Sequence, residues 1–139
     1  MKVLILEDEE LAFIGIKALL ESKRHQVDVF QNASDALDSI KRKAYDILLI
    51  DIMVPHNGGD FEGVPIDQTG IELIVKLREG KFKNSATESN VNIIAITAVS
   101  EAEKLFRIEE KGNIGLIQKP IAPEDVFEKI NLLVKESIR

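Results

Sequence analysis

Four short apolar runs recur along the 139-residue chain, and polar segments separate them. Their sequences are KVLILED, YDILLID, NIIAIT and IGLIQK, and all four are rich in Ile, Leu or Val. Continuous apolar runs of this length are typical of strands that are covered on both faces, as in parallel sheets. A fifth run, VDVF at residues 27–30, alternates apolar and polar side chains. This alternation favours a half-exposed strand at a sheet edge.

Apolar residues at helical spacing follow these runs and predict five helices. Asn32 is the predicted N-cap of the second helix, and Pro123 suits the first turn of the fifth. Strict strand–helix alternation predicts an α/β protein, a single doubly wound (βα)5 domain with a five-stranded parallel sheet and helices on both faces. The helical periods consist of Leu11, Ile14, Gly15, Ala18 and Leu19; Ala33, Ala36, Leu37 and Ile40; Ile71, Ile74 and Val75; Ala102, Leu105 and Phe106; and Val126, Phe127, Ile130, Leu133 and Val134.

The composition excludes several classes of protein. A hydrophobic content of 45% predicts one globular domain over residues 1–139. The formal net charge of -6 argues against direct nucleic-acid binding, and the absence of cysteine excludes disulfides and a thiol nucleophile. The first apolar run is too short for a signal peptide, and no run approaches the roughly 18 apolar residues of a membrane span. We therefore expect a cytoplasmic chain without membrane contact.

One connection is longer than the usual link between a strand and a helix. Residues 56–69, HNGGDFEGVPIDQT, lie between the third strand and the third helix and contain three glycines and a proline. Because this loop begins soon after Asp51, we expect it to border the functional site, where Phe61, Val64 and Ile66 could contact a partner or cover the site. The alternative is a mobile, solvated loop.

Polar residues follow four of the predicted strands at the point where each strand ends. Glu7 and Asp8 end the first strand, Asp51 the third, Thr97 the fourth and Lys119 the fifth. Ligand sites in open parallel sheets form at the carboxyl ends of strands. The sequence therefore predicts that these five side chains converge at one edge of the sheet.

The residue types of this predicted site indicate phosphate chemistry. Two carboxylates about 4 Å apart repel by roughly 4 kcal/mol near a protein surface, and a divalent cation would reverse that repulsion. Carboxylates are hard oxygen ligands that suit Mg²⁺. Lys119 could pair with a phosphate, Thr97 could donate a hydrogen bond to it, and Asp51 could be the nucleophile that forms an aspartyl phosphate.

The segments EDEE, LLIDIMVP, IIAITA and QKP resemble the receiver domain of bacterial two-component response regulators over essentially the whole chain. The resemblance implies a flavodoxin-like sheet of strand order 2-1-3-4-5, which also places the alternating strand at an edge. It implies that Glu7 and Asp8 bind Mg²⁺, with Mn²⁺ as an alternative, and that Asp51 is phosphorylated by a sensor histidine kinase or a histidine phosphotransfer protein. Thr97 and Lys119 match the hydroxyl and the lysine of the family.

Further implications of the resemblance concern the metal, the switch and the lifetime of the signal. The backbone carbonyl of Met53 is expected as a metal ligand, and Leu116 stands where the family commonly has an aromatic switch residue. Met53 and Val99 occupy positions that orient water in the family, so their apolar side chains predict slow hydrolysis. The peptide bond before Pro120 is expected to be cis. The resemblance implies that the chain is not an enzyme but a phosphoacceptor that assists its own phosphorylation and slow dephosphorylation. It would act either alone or as the receiver of a longer regulator. The sequence does not identify the output domain or the target protein.

Other functions fit the sequence less well. A flavodoxin-type FMN carrier needs a phosphate-binding loop after the first strand, where the acids at residues 7–10 would repel phosphate. A haloacid-dehalogenase-type phosphatase usually has a second acid two positions after its nucleophile, where this chain has Met53. His25 and His56 lack the spacing of a transition-metal site. The strongest alternative is a receiver-like scaffold that is never phosphorylated and acts only through protein contacts.

Overall fold

The computed structural model describes residues 1–98, residue 112 and residues 114–138. Within them, five parallel strands form one sheet of order β2-β1-β3-β4-β5, which confirms the predicted architecture and strand order. The alternating strand β2 lies at an edge and is only partly buried, as the sequence predicts. The strands are β1 (Lys2–Leu6), β2 (Gln26–Phe30), β3 (Ile47–Asp51), β4 (Asn92–Thr97) and β5 (Ile114–Gln118).

Four helices lie in the described part of the chain. Asn32 caps the second one, because its side-chain oxygen accepts a hydrogen bond from the backbone N–H of Asp35 at 2.9 Å. The predicted helix at Ala102, Leu105 and Phe106 lies outside the described residues. None of the described helices is long and apolar enough to cross a membrane. The helices are α1 (Glu10–Ser22), α2 (Ala33–Arg42), α3 (Thr69–Arg78) and α4 (Pro123–Ile138).

Side chains of the inner strands alternate between two apolar cores on opposite faces of the sheet. On β3, Leu48 and Ile50 belong to the core beneath α2 and α3, whereas Ile47 and Leu49 belong to the core beneath α1 and α4. All four are fully buried. The runs are apolar without alternation because helices cover both faces of the sheet.

Helix α1 forms where the sequence predicts it, but it packs through a different face. Leu11 and Ile14, which belong to the apolar stripe recognised in the sequence, are 92% and 53% exposed. The buried residues are instead Ile16 and Leu20, and Phe13 packs beside them. This helix has two apolar stripes, and only the packing against the sheet and α4 decides which one is buried.

Part of the long loop between β3 and α3 packs into the domain, although residues such as Asn57, Asp60 and Glu62 are exposed. It contains two short 3-10 helices, Gly59–Phe61 and Ile66–Gln68. Phe61 is fully buried in the core beneath α2 and α3, which contradicts its expected exposure to a partner. The ring of His56 stacks on Phe61 and bridges the loop, since it hydrogen-bonds the carbonyl of Val64 at 2.8 Å.

Candidate functional site

Two buried carboxylates lie side by side where β1 and β3 end. Glu7 directly follows β1, Asp51 is the last residue of β3, and these strands are neighbours in the sheet. Both residues are 2% exposed, whereas Asp8 is exposed. One carboxylate oxygen from each of Glu7, Asp8 and Asp51 lies within 4.8 Å of the other two. The fold thus brings Asp51 together with two acids, Glu7 and Asp8, that are adjacent to each other but distant from it in sequence.

Lys119 supplies positive charge to this acidic cluster from the end of β5. Its backbone N–H donates to the carbonyl of Thr97 at 2.8 Å, which ties the residue to the end of β4. Its ammonium donates to Asp51 Oδ2 at 3.0 Å and lies 3.4 Å from Glu7 Oε2. The peptide bond between Lys119 and Pro120 is cis, as the sequence resemblance implies.

Burial and mutual repulsion shift the protonation of these groups. Burial, together with the negative charge of Asp51, raises the pKa of Glu7 to about 8. Burial also raises the pKa of Asp51, although hydrogen bonds from its neighbours oppose the shift. For Lys119, burial alone would lower the pKa, but the hydrogen bond and charge of Asp51 outweigh it and raise the value. One ammonium does not neutralise three carboxylates, and additional positive charge would favour the ionised form of Glu7.

The cluster has the chemistry that a divalent cation requires. Glu7 Oε2 is buried and accepts no hydrogen bond from the described residues, in spite of its proximity to the Lys119 ammonium. Buried polar oxygens normally have a hydrogen-bond partner, and the lack of one leaves this atom available as a metal ligand. Three carboxylates offer the hard oxygen ligands that Mg²⁺ prefers. The residues present therefore fit such an ion.

A cavity of about 190 Å³ opens above Asp51. Met53 lies at its wall with its side chain 46% exposed, and its backbone N–H donates to Asp51 Oδ1 at 3.2 Å. Two other apolar residues, Ile66 and Ala98, line the cavity. The sequence predicts Ile66 near the site as one of three apolar loop residues, whereas Ala98 was not recognised from the sequence. The only sequence signal for Ile66 is an apolar residue in a polar loop. The residues lining the cavity are Asp8, Glu9, Asp51, Met53, Ile66, Ala98 and Lys119.

The predicted switch residues lie on the neighbouring strands β4 and β5. Thr97 is buried at the end of β4, and its hydroxyl donates to the carbonyl of Ala98 at 3.0 Å. Leu116 pairs with Ala95 in the sheet and packs, half-buried, against the core beneath α2 and α3. Val99, the other residue expected to limit hydrolysis, lies outside the described residues.

A larger apolar groove adjoins the cavity. Its volume is about 590 Å³, and it lies between the start of α1 and the segment that joins β5 to α4. It shares Glu9 and Lys119 with the cavity above Asp51. The remaining lining residues are Leu11, Ala12, Gly15, Pro120, Ile121 and Pro123. The exposed stripe of α1 therefore forms one wall of a groove that leads to the acidic site.

A doubly wound parallel sheet of this strand order is the fold of CheY-like α/β domains. The family model of the response regulator receiver domain matches residues 3–131 of this chain. The chain therefore belongs to the receiver domain family of two-component response regulators.

Proteins with similar sequences include a transcriptional regulator and a histidine kinase, and both are longer than this chain. The transcriptional regulatory protein DltR of Streptococcus agalactiae is 27% identical over 137 residues, which are 99% of this chain and 53% of that protein. The hybrid signal transduction histidine kinase B of Dictyostelium discoideum is 30% identical over 129 residues, or 91% of this chain and 6% of the kinase. This chain thus spans about half of the first relative and a small part of the second.

A solved structure supports the fold independently. The CheY-like receiver domain protein of Methanospirillum hungatei superposes with a TM-score of 0.76 and covers 97% of this chain and 94% of its own. Its sequence identity is 24%, so this likeness establishes the fold alone.

Proposed function

We propose that this chain is a phosphorylation-dependent switch in which Asp51 accepts a phosphoryl group from a sensor histidine kinase or a histidine phosphotransfer protein. The observation that supports this most directly is the buried carboxylate of Asp51, which accepts a hydrogen bond from the Lys119 ammonium at 3.0 Å within an acidic cluster. Phosphorylation would then alter a surface that binds a downstream protein or output domain.

The transfer is a displacement at phosphorus. A carboxylate oxygen of Asp51 forms a bond to the phosphorus of a phosphohistidine, the phosphorus–nitrogen bond breaks, and the imidazole leaves with the bonding electrons. Lys119 is close enough to pair with an oxygen of the transferred group. Thr97, whose hydroxyl donates to Ala98 before transfer, would gain a phosphoryl oxygen as an alternative acceptor. We propose that this change of hydrogen-bond acceptor begins the conformational switch and that Leu116, the residue at the second switch position, responds to it.

The metal proposed for this reaction is Mg²⁺, with Mn²⁺ as an alternative. Glu7, Asp8 and Asp51 would hold it, together with the backbone carbonyl of Met53. When bound, the ion would neutralise the carboxylates and the phosphoryl oxygens, which reduces their repulsion. The chain does not turn over a substrate in this scheme; it assists its own phosphorylation and slow dephosphorylation.

The groove beside the cavity supports a protein as the phosphoryl donor. A phosphohistidine that reaches Asp51 must enter a cavity whose rim residues Glu9 and Lys119 also line the groove. A partner helix with apolar side chains would bury Leu11, which is 92% exposed. Contact across the groove would hold the phosphohistidine at the cavity, which is how proximity accelerates such a transfer.

The proposed unit extends over residues 1–139 as one receiver domain, because α4 continues beyond residue 131, where the family match ends. We place its action in the cytoplasm, on the basis of the proposed partnership with a sensor kinase. In this scheme the 56–69 loop belongs to the receiver domain and is not a boundary between domains.

The direct test is labelling of the purified chain with acetyl phosphate in the presence and absence of Mg²⁺. We expect intact-mass spectrometry to show one added phosphoryl group with Mg²⁺ and none after replacement of Mg²⁺ by a chelator. Asp51→Asn should abolish labelling, whereas Asp38→Asn, which changes an exposed aspartate of α2, should label like the wild type. Equal labelling of Asp51→Asn and the wild type would contradict the proposal.

A further inference from the structure

We propose that Ile66, supplied by the long loop between β3 and α3, shields the aspartyl phosphate of Asp51 from water and thereby sets the lifetime of the phosphorylated state. This inference rests on the proposed function of Asp51. It gives a specific role to one of the apolar loop residues that the sequence predicts near the site.

The position of Ile66 supports this role. It begins the 3-10 helix Ile66–Gln68 and lines the same cavity as Asp51, Met53 and Lys119. Its side chain is 53% exposed, so it is not required to fill a core. With Met53, which is 46% exposed, it provides apolar surface at the entrance to an otherwise strongly charged cavity.

The segment that contains Ile66 is fixed to the end of β3. The backbone N–H of Gly70 donates to the carbonyl of Ile52 at 2.9 Å. Two hydrogen bonds to the carbonyl of Pro65, from the backbone of Gln68 at 2.9 Å and the hydroxyl of Thr69 at 3.3 Å, hold the turn itself. Ile66 is therefore held beside Asp51 by backbone contacts and does not depend on the packing of its own side chain.

The beginning of the loop is also attached to the domain. The backbone N–H of Ala33 donates to the carbonyl of Pro55 at 2.9 Å. The Nδ1 atom of His56 accepts the backbone N–H of Gly58 at 3.0 Å, and the other ring nitrogen, which must then be the donor, bonds the carbonyl of Val64 at 2.8 Å. Both ends of the loop are thus anchored, and these contacts position Ile66 at the cavity.

Hydrolysis requires a water molecule in line with the phosphorus, within the cavity that Ile66 lines. The water oxygen forms a bond to phosphorus, the bond from phosphorus to the Asp51 oxygen breaks, and Asp51 recovers its carboxylate while the water proton passes to phosphate or solvent. Polar groups near the site accelerate this step when they orient the water. Isoleucine offers no hydrogen bond and excludes water from the surface that it covers.

The test compares variants of Ile66 with a matched variant elsewhere. Ile66→Asn introduces a polar side chain, Ile66→Ala removes the apolar surface, and Ile66→Leu retains it. Leu132→Asn changes a leucine of α4 that is 55% exposed and does not line the cavity. Each protein is labelled with acetyl phosphate and Mg²⁺, freed of the donor, and followed by release of inorganic phosphate. Thermal unfolding of the unlabelled proteins is measured in parallel.

We expect Ile66→Asn to release phosphate roughly tenfold faster than the wild type, which corresponds to about 1.4 kcal/mol in the barrier. Ile66→Ala should show a smaller acceleration, whereas Ile66→Leu and Leu132→Asn should release phosphate at the wild-type rate. Unfolding midpoints should remain close to that of the wild type, because the Ile66 side chain is half-exposed.

The outcomes separate this inference from the proposed function. Wild-type labelling at Asp51 combined with unchanged release in Ile66→Asn and Ile66→Ala would overturn the role of Ile66 and leave the phosphoacceptor assignment intact. Equal acceleration in Ile66→Leu, or in Leu132→Asn, would also overturn it. Absence of labelling in the wild type would overturn both.

Discussion

Gly70 lies against the backbone of Asp51 so closely that a Cβ atom at this position would be 2.5 Å from the Asp51 carbonyl oxygen. The same atom would lie 2.6 Å from the Cα of Ile52. Only glycine permits this approach, since the obstructing atoms belong to the backbone and cannot rotate away. The contact places the start of α3, and the turn before it, directly beside the end of β3.

Gly70→Ala should therefore destabilise the protein by about 1–3 kcal/mol, the usual cost of forcing an extra carbon into a packed site. Urea unfolding measures this change. Gly15→Ala on α1 is the matched control, because its Cβ would meet only a ring carbon of Pro123, at 3.2 Å. A loss of stability in Gly15→Ala as large as that in Gly70→Ala would contradict the assigned cause.

Mg²⁺ should stabilise the wild type and stabilise Asp8→Asn much less. A cation that binds only the folded state adds about 2.7 kcal/mol at one hundred times its Kd. Without the ion, Asp8→Asn should be at least as stable as the wild type, because the substitution removes one of three clustered carboxylates. Thermal unfolding with MgCl₂, and with NaCl at equal ionic strength, tests the prediction. Identical Mg²⁺ shifts in both proteins would exclude Asp8 as a ligand.

Asp28 should contribute to stability near neutral pH and lose that contribution in acid. The hydroxyl of Tyr45 donates to Asp28 Oδ2 at 2.6 Å, and this bond, with that from Lys43, lowers the pKa of Asp28. The stabilisation is present above the pKa of the unfolded chain, about 3.9, and disappears as pH falls through the lower folded value. The difference in unfolding free energy between the wild type and Asp28→Asn should shrink below about pH 4. Tyr45→Phe should weaken the same acid dependence, and a difference that grows in acid would refute this account.

Leu11→Ala should impair phosphotransfer from a histidine kinase but not from acetyl phosphate. The small donor enters the cavity without the groove, whereas a protein partner would bury this exposed leucine. With a kinase that phosphorylates the wild-type chain, we expect the apparent KM for the substituted chain to rise roughly tenfold, or about 1.4 kcal/mol. Leu132 is also an exposed leucine but does not line the groove. The Leu132→Ala chain should therefore accept the phosphoryl group from the kinase as the wild type does. If Leu11→Ala impaired phosphorylation by both donors, Leu11 would be required for the phosphorylation reaction itself or for the fold, and the proposed contact with a protein donor would not be supported.

Leu116 should change its surroundings only slightly when the protein binds beryllofluoride. It is half-buried against the core beneath α2 and α3 and has no hydroxyl to exchange partners. Backbone and methyl NMR shifts of β5, with and without Mg²⁺ and beryllofluoride, measure the change. A large rearrangement of β5 would show that leucine transmits the switch as strongly as an aromatic residue.

Local sequence pattern was sufficient to predict the parallel sheet and the proximity of Glu7, Asp8, Asp51 and Lys119 at one edge of it. Apolar runs without alternation require cover on both faces, and parallel strands place their carboxyl ends at one edge. Each inference depends on local pattern and on a general property of parallel sheets. The strand order came from the family resemblance, to which the alternating pattern of β2 added only its place at an edge, and the structure confirms it.

Tertiary packing decided which apolar residues are buried and which border the site. Helix α1 has two apolar stripes, and its contacts with α4 and the sheet buried Ile16 while leaving Leu11 exposed. In the long loop, Phe61 entered a core while Ile66 remained at the cavity, although both are apolar residues in the same polar segment. Periodicity cannot distinguish such residues, because their burial depends on atoms that are distant in sequence. The close approach of Gly70 to Asp51, across the whole loop, is a contact of this kind.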